Sequence, residues 1–205
     1  MSKTPDRQER TGEDRKAKGI LLLDHVRMIR GAKDPRLLEA LTPEDREIVG
    51  SHILTSSWYP YGVYARTLDV IFRDIAGSNP EVTRDMGRFM ASRLLAGPYA
   101  MYVKAGDPEA TLLGFQVIWK NFFNFANVRL GRGTSAPRAA GRRAFTGTIE
   151  GFPDLSKPLC FIIQGFLDKT LEMCGASDRF IAEVTCAASG DPACSYRGGW
   201  RVSPS

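Results

Sequence analysis

Cys160, Glu183, Cys186 and Cys194 are the side chains of this 205-residue sequence whose types and spacing suit metal chemistry. Twenty-two residues separate Cys160 from Glu183, two more separate Glu183 from Cys186, and seven residues containing Ser189-Gly190-Asp191-Pro192 lead to Cys194. Three soft thiolates and one carboxylate make a four-coordinate zinc set. With every position taken by protein there is no open site for a water nucleophile, so the ion's role would be structural. Two other readings stand beside this one. The thiols could fill a core as small apolar groups, with Glu183 at the surface, or Cys186 could face Cys194 across a hairpin as a thiol pair or disulfide. The metal reading carries a geometric condition. A regular strand sends Glu183 and Cys186 to opposite faces, so a bulge, or a strand that ends before Cys186, is required. Cys174 shares a helical face with Cys160, Ile163 and Leu167 and reads as core.

Aromatic residues form the second candidate. Phe115, Trp119, Phe122, Phe123 and Phe125 cluster at helical spacing, which favours core packing. The functional alternative has Trp58, Tyr99, Tyr102, Trp119, Phe122 and Phe123 lining an apolar pocket for a small aromatic or acyl ligand. His25 and His52 read as capped or surface side chains. Arg129, Arg132, Arg138, Arg142 and Arg143 crowd one loop, which reads as a solvated hairpin connection. Without interleaved aromatics or a recognition helix, no nucleic-acid partner is expected. No Ser/His/Asp order, paired-carboxylate signature or phosphate loop stands out, and no nicotinamide or flavin fingerprint supplies a hydride. The chain does not read as an enzyme.

The elements that must position these groups are set by local signals. Residues 1–18 mix both signs of charge with almost no apolar side chains and read as a disordered tail. One α+β domain is expected over 19–205, mainly helical over 19–123 and built from a sheet plus one helix over 124–205. Ile20 to Arg30 has helical spacing. Thr42-Pro43, Asn79-Pro80 and Asp107-Pro108 each open a helix, because the capping side chain satisfies orphan amides and proline presets the first turn. The stretch 61–75 carries Val63, Tyr64, Leu68, Ile71, Phe72 and Ile75 on one broad face and is also helical. The period then changes to two: 124–130 and 142–151 form one hairpin, 179–186 and 194–200 a second. Between the hairpins, Ser156-Lys157-Pro158 caps the helix that carries Cys160. Helices followed by antiparallel strands imply helices packed on a C-terminal antiparallel sheet. A net charge of +5 permits an acidic partner without requiring one. No run is long and apolar enough to span a membrane, and no secretion signal is present, so the cytoplasm is the expected location.

The spacing of Cys160, Glu183, Cys186 and Cys194, the turn Ala187-Ala188-Ser189-Gly190-Asp191-Pro192-Ala193-Cys194 and the pair Gly165-Phe166 together carry a resemblance. Over its last quarter the chain resembles the 4-vinyl reductase domain, most closely the zinc-bearing form in bacterial phenol-sensing transcription activators. There a helix-borne Cys, a Glu-x-x-Cys pair and a further Cys hold one structural zinc. The resemblance implies that role for Cys160, Glu183, Cys186 and Cys194, on a fold shared with NO-signalling and Golgi-transport ligand-binding domains. It also implies an apolar ligand pocket between helices and sheet. The His and Trp that hold phenol in those sensors have no equivalents that can be placed here, so phenol is not the expected ligand. The function this implies is that of a non-enzymatic sensor of a small apolar or aromatic ligand, with structural zinc, signalling as a homodimer or through a partner protein. Behind it stand a protein-interaction scaffold of the trafficking-subunit type and, third, a reductase-associated enzyme.

Overall fold

The computed structural model describes residues 12–133, 142–152 and 155–201. Two compact units emerge, one of Met1–Asn79 with Lys120–Ala126 and one of Pro80–Trp119 with Asn127–Ser205.

In the first unit, strand β1 (Lys16–Lys18) pairs antiparallel with β2 (Trp58–Pro60). Ala17, two residues ahead of the boundary expected at Gly19, is fully buried. A 3-10 turn at Gly12–Asp14 precedes it, and residues 1–11 of the expected tail lie outside the described residues. Helix α1 (Gly19–Ala32) buries Leu21, Leu22, His25, Val26 and Ile29. Helix α2 (Pro35–Glu39) is additional to the expected elements, although its signal is present: Asp34 accepts the Arg36 amide ahead of Pro35. Helix α3 (Pro43–Gly50) opens on a capping box in which Thr42 and Asp45 accept each other's backbone amides. Asp45 also takes a bidentate ion pair from Arg66, at 2.6 and 2.7 Å. Burial alone would raise the Asp45 pKa, but the bonds from Arg66 and Thr42 outweigh it and the pKa falls. Helix α4 (Tyr61–Val70) continues into a π turn at Ile71–Ile75, so 61–75 is helical as expected.

The histidines depart from expectation in part. His52 is exposed, whereas His25 is buried, stacked on Tyr64 at 4.6 Å and bonded through Nδ1 to Thr67 Oγ1 at 2.9 Å. The Thr67 hydroxyl satisfies Nδ1, while Nε2 is buried without a partner among the described residues, and no local sequence signal shows either.

In the second unit, helices α5 (Pro80–Leu95) and α7 (Lys157–Met173) meet at two glycines. A Cβ on Gly87 would stand 2.2 Å from the Ile162 carbonyl oxygen, and one on Gly165 only 1.9 Å from that of Arg84. The backbones therefore touch, and that closeness sets where α7 lies. Arg88 and Arg179 pair with Asp168 and Glu172 along the seam. Helix α6 (Pro108–Phe122) follows its Asp107 cap as expected, with Asp107 Oδ1 accepting the Ala110 amide. Strands β3 (Asn127–Arg132), β4 (Arg142–Glu150), β5 (Ser177–Thr185) and β6 (Cys194–Arg201) form an antiparallel sheet of order β3-β4-β6-β5. Alternation divides its faces: Val128, Leu130, Phe145, Ile149, Tyr196 and Trp200 are buried, while Arg129, Thr146 and Arg197 are exposed. Both expected hairpins are present, although β3 starts later than residue 124. Asn124, in the first unit, instead accepts the Lys16 amide and donates to the Asp14 carbonyl.

This packing makes two outcomes measurable. Gly165→Ala should cost about 1–3 kcal/mol in chemical denaturation because backbone, not a flexible side chain, must yield. Gly31→Ala, where nothing lies within 4 Å of the new Cβ, is the control and should be neutral or stabilising. Burial lowers the His25 pKa from 6.5 to about 3, so below pH 6.5 the unfolded chain binds a proton that the folded chain does not. Stability should therefore fall from pH 6.5 downward. Comparing denaturation midpoints with His25→Gln between pH 7 and pH 5 should show that slope only in the parent.

Candidate metal centre

The four residues singled out by spacing come together. One ligand atom from each of Cys160, Glu183, Cys186 and Cys194 lies within 4.8 Å of all the others. Such a cluster could hold a metal ion. Cys160 is the fourth residue of α7 and is fully buried. Its Sγ lies 3.7 Å from Cys186 Sγ and 3.9 Å from Cys194 Sγ, and all four cysteines are free thiols.

The geometric condition on Glu183 and Cys186 is met in both of its forms. Between Glu183↔Tyr196 and Thr185↔Ser195 the register of β5 on β6 slips, leaving Val184 as the extra residue of a bulge. The strand then stops at Thr185, and Cys186 opens a 3-10 turn at Ala187–Ser189. Hydrogen bonds pin that turn: the Cys186 amide donates to Asp191 Oδ2 at 2.7 Å, and the Ser189 amide to the Cys186 carbonyl at 2.9 Å. Gly190, with φ +100°, supplies the left-handed step that closes it. The Ala187 amide donates to Cys194 Sγ at 3.3 Å, as a backbone amide does to a thiolate.

The electrostatics favour negative charge on one thiol at the expense of another. Cys194 is brought down to about 7, chiefly by the hydrogen bond from Cys160 and further by the Ala187 amide, against burial. Cys160 moves strongly upward because its proton is shared toward Cys194 and because it is buried. Lys157, one turn before Cys160, donates to Glu183 Oε2 at 2.5 Å. Burial works against that ammonium, yet its bonds to Glu183 and Cys186 outweigh burial and raise its pKa. The other oxygen, Glu183 Oε1, is buried with no hydrogen-bond partner among the described residues. An orphaned carboxylate oxygen beside three buried thiols is costly unless something binds it.

Three further members of this site are not marked by the cysteine spacing. Lys157 reads in the sequence as part of a helix cap, although it lies three residues before Cys160 and therefore on the same helix face. Asp191 is visible there only as a turn residue. Tyr196, which pairs across the sheet with Glu183, has no local signal.

The six-ring set is distributed differently. Trp119 packs on Phe115 and Phe152, and Phe123 on Tyr61, Tyr64 and Phe125, while Phe122 is also buried. These three serve core packing. Trp58 is 38% exposed beneath the Lys18 ammonium, and Tyr99 stands 6.4 Å from Tyr102. The second unit has concavities of about 290 and 300 Å³, and none of the six rings lines either of them. Cys174 is core as expected, donating to the Thr170 carbonyl. In the arginine-rich segment, Arg129, Arg132 and Arg142 pair with Glu150, Glu109 and Asp178, and Arg138 lies outside the described residues.

No family model matches the chain. No curated protein matches it either. Solved structures do. An H-NOX protein from S. oneidensis in the Fe(II)NO ligation state superposes with a TM-score of 0.62 at 15% identity, covering 90% of this chain and 99% of that one. The fold is similar to that of H-NOX domains. An Fe(II) unliganded H-NOX protein from K. algicida gives 0.62 at 10% identity, covering 90% and 96%. An oxygen-binding H-NOX domain related to soluble guanylate cyclases gives 0.57 at 12%, covering 91% and 95%. The α+β expectation of the NO-signalling type therefore holds.

Asp191→Ala should loosen the turn that carries Cys186. We expect a loss of about 1–2 kcal/mol, read by denaturant titration, from the bond to the Cys186 amide.

Proposed function

We propose that this protein is a non-enzymatic, small-molecule-binding sensory domain of the 4-vinyl reductase type, in which Cys160, Glu183, Cys186 and Cys194 hold a structural zinc ion. The observation that carries the reading is the buried, partnerless Glu183 Oε1 among three thiols. Thiolates about 2.3 Å from a tetrahedral zinc stand roughly 3.8 Å apart. The separations of 3.7 and 3.9 Å between Cys160 and its two neighbours match that spacing, and they are far too long for a disulfide. Three thiolates and a carboxylate overcompensate a divalent ion, and Lys157 offsets part of the excess. Bound there, zinc would supply cohesion and no chemistry, tying the first turns of α7 to the β5–β6 hairpin.

The H-NOX neighbours include proteins described with Fe(II) ligation and with haem distortion. This chain's donors do not fit a histidine-held haem. His25 is stacked on Tyr64 and bonded through Nδ1 to Thr67, its Nε2 buried and unpartnered among the described residues but lining neither of the two concavities of the second unit, and His52 is exposed beyond the end of α3. Among the cysteines, Cys174 is buried and bonded to Thr170, and the other three are drawn together. The fold supports the small-molecule-binding sensory reading, and the ligand we assign to it is a small apolar or aromatic molecule. As output partner we place a second copy of the chain or a signalling protein. Free buried thiols suit a reducing compartment, so we place the protein in the cytoplasm. No helix of the described residues is long and apolar enough to cross a membrane.

Native mass spectrometry of protein purified without chelator tests this directly. One zinc per chain is expected, lost on Cys186→Ser or Cys194→Ser together with a fall in melting temperature. A mass without metal, with four thiols titrating freely in the folded protein, would refute the zinc assignment.

A further inference from the structure

Two concavities open at one end of the sheet in the second unit. One, of about 290 Å³, is walled by apolar side chains that include Leu112 and Leu113 of α6, Leu130 of β3 and Phe145 of β4. Its neighbour, of about 300 Å³, is lined by the start of α6, the turn after α7, and Arg143 and Arg201. Trp200 and Glu109 line both, so the indole stands where the apolar and polar halves meet. Together they have the volume and the make-up of a small-molecule site, mostly apolar with a few convergent polar groups.

The polar groups around the mouth are not equally free. Glu109 is held by Arg132, Asp107 caps α6 through the Ala110 amide, and Asp178 is paired with Arg142 and Arg201. Each nearby acid is therefore committed. Arg143 has no acidic partner among the described residues, and it sits directly across the sheet from Trp200. The Trp200 indole N–H is buried and meets no acceptor among them. A buried donor left unpaired is a cost that a ligand acceptor removes.

We infer that this double concavity binds a small monocarboxylate, its apolar body against Leu112, Leu130 and Phe145 and its carboxylate at Arg143 and the Trp200 N–H. This rests on the small-molecule-binding reading above and gives it a place and a ligand class. Octanoate and octan-1-ol, which share an alkyl chain and differ in charge, are suitable probes for the full-length protein. By calorimetry octanoate should bind more tightly than octanol by about tenfold or more, as a charge-assisted bond requires. Arg143→Gln should bring octanoate to the level of octanol. Trp200→Phe, which keeps a ring and removes the donor, should weaken octanoate by roughly threefold and leave octanol alone. Methyl NMR on the unmutated protein keeps the test open should a variant misfold: octanoate should perturb Leu112 and Leu130. Equal affinities for the two probes, or perturbed methyls elsewhere, would overturn the site. If neither probe binds while another small molecule co-purifies, the site falls and the sensory reading stands. If neither probe binds and nothing co-purifies, both fall.

Discussion

Three sulfurs and one carboxylate converge where the beginning of α7 meets the β5–β6 hairpin, and that convergence constrains the rest of the second unit. Buried acidic groups this close repel one another once ionised and are costly to desolvate, so the surroundings must compensate. Cys160 shares its proton toward Cys194, the Ala187 amide donates to the same sulfur, and Lys157 holds one oxygen of Glu183. The second oxygen of Glu183 is left without a donor among the described residues. Compensation from the described residues is thus incomplete.

The position of Cys160 depends in turn on the α5–α7 contact. Because Gly87 and Gly165 let the two backbones touch, α7 is held by close packing along its length, and ion pairs from Arg88 and Arg179 fix its rotation. The hairpin is positioned from the other side, by the β4–β6 register and by the bulge at Val184. A helix and a strand pair held independently can deliver four side chains to one point with little freedom left to lose, which is what makes a metal site tight.

A fold shared with H-NOX domains does not carry their metal chemistry with it. Of the histidines here, His25 lies in a buried stack with Tyr64 and His52 at the surface, and three of the thiols are gathered elsewhere. What the fold does offer is concave space beside α6, where the apolar walls and the uncommitted Arg143 differ in character from the packed aromatic rings around Trp119. The same helix thus supplies core on one face and cavity wall on another.

Much of this is legible in the chain itself, because it depends on neighbours in sequence. Proline after Thr42, Asn79 and Asp107 marks three helix starts, the change of period near residue 124 marks the sheet, and the Cys and Glu spacing marks the cluster. Order within the supposed tail is not legible, since Lys16–Lys18 becomes a strand only when Trp58–Pro60 lies beside it. Nor are the burial of His25, which depends on Thr67 forty-two residues away, or the place of Tyr196 beside Glu183. Period and capping are local and are written into consecutive residues. Close approach of backbones, strand register and the pairing of buried polar atoms are contacts between distant segments, and only the folded chain decides them.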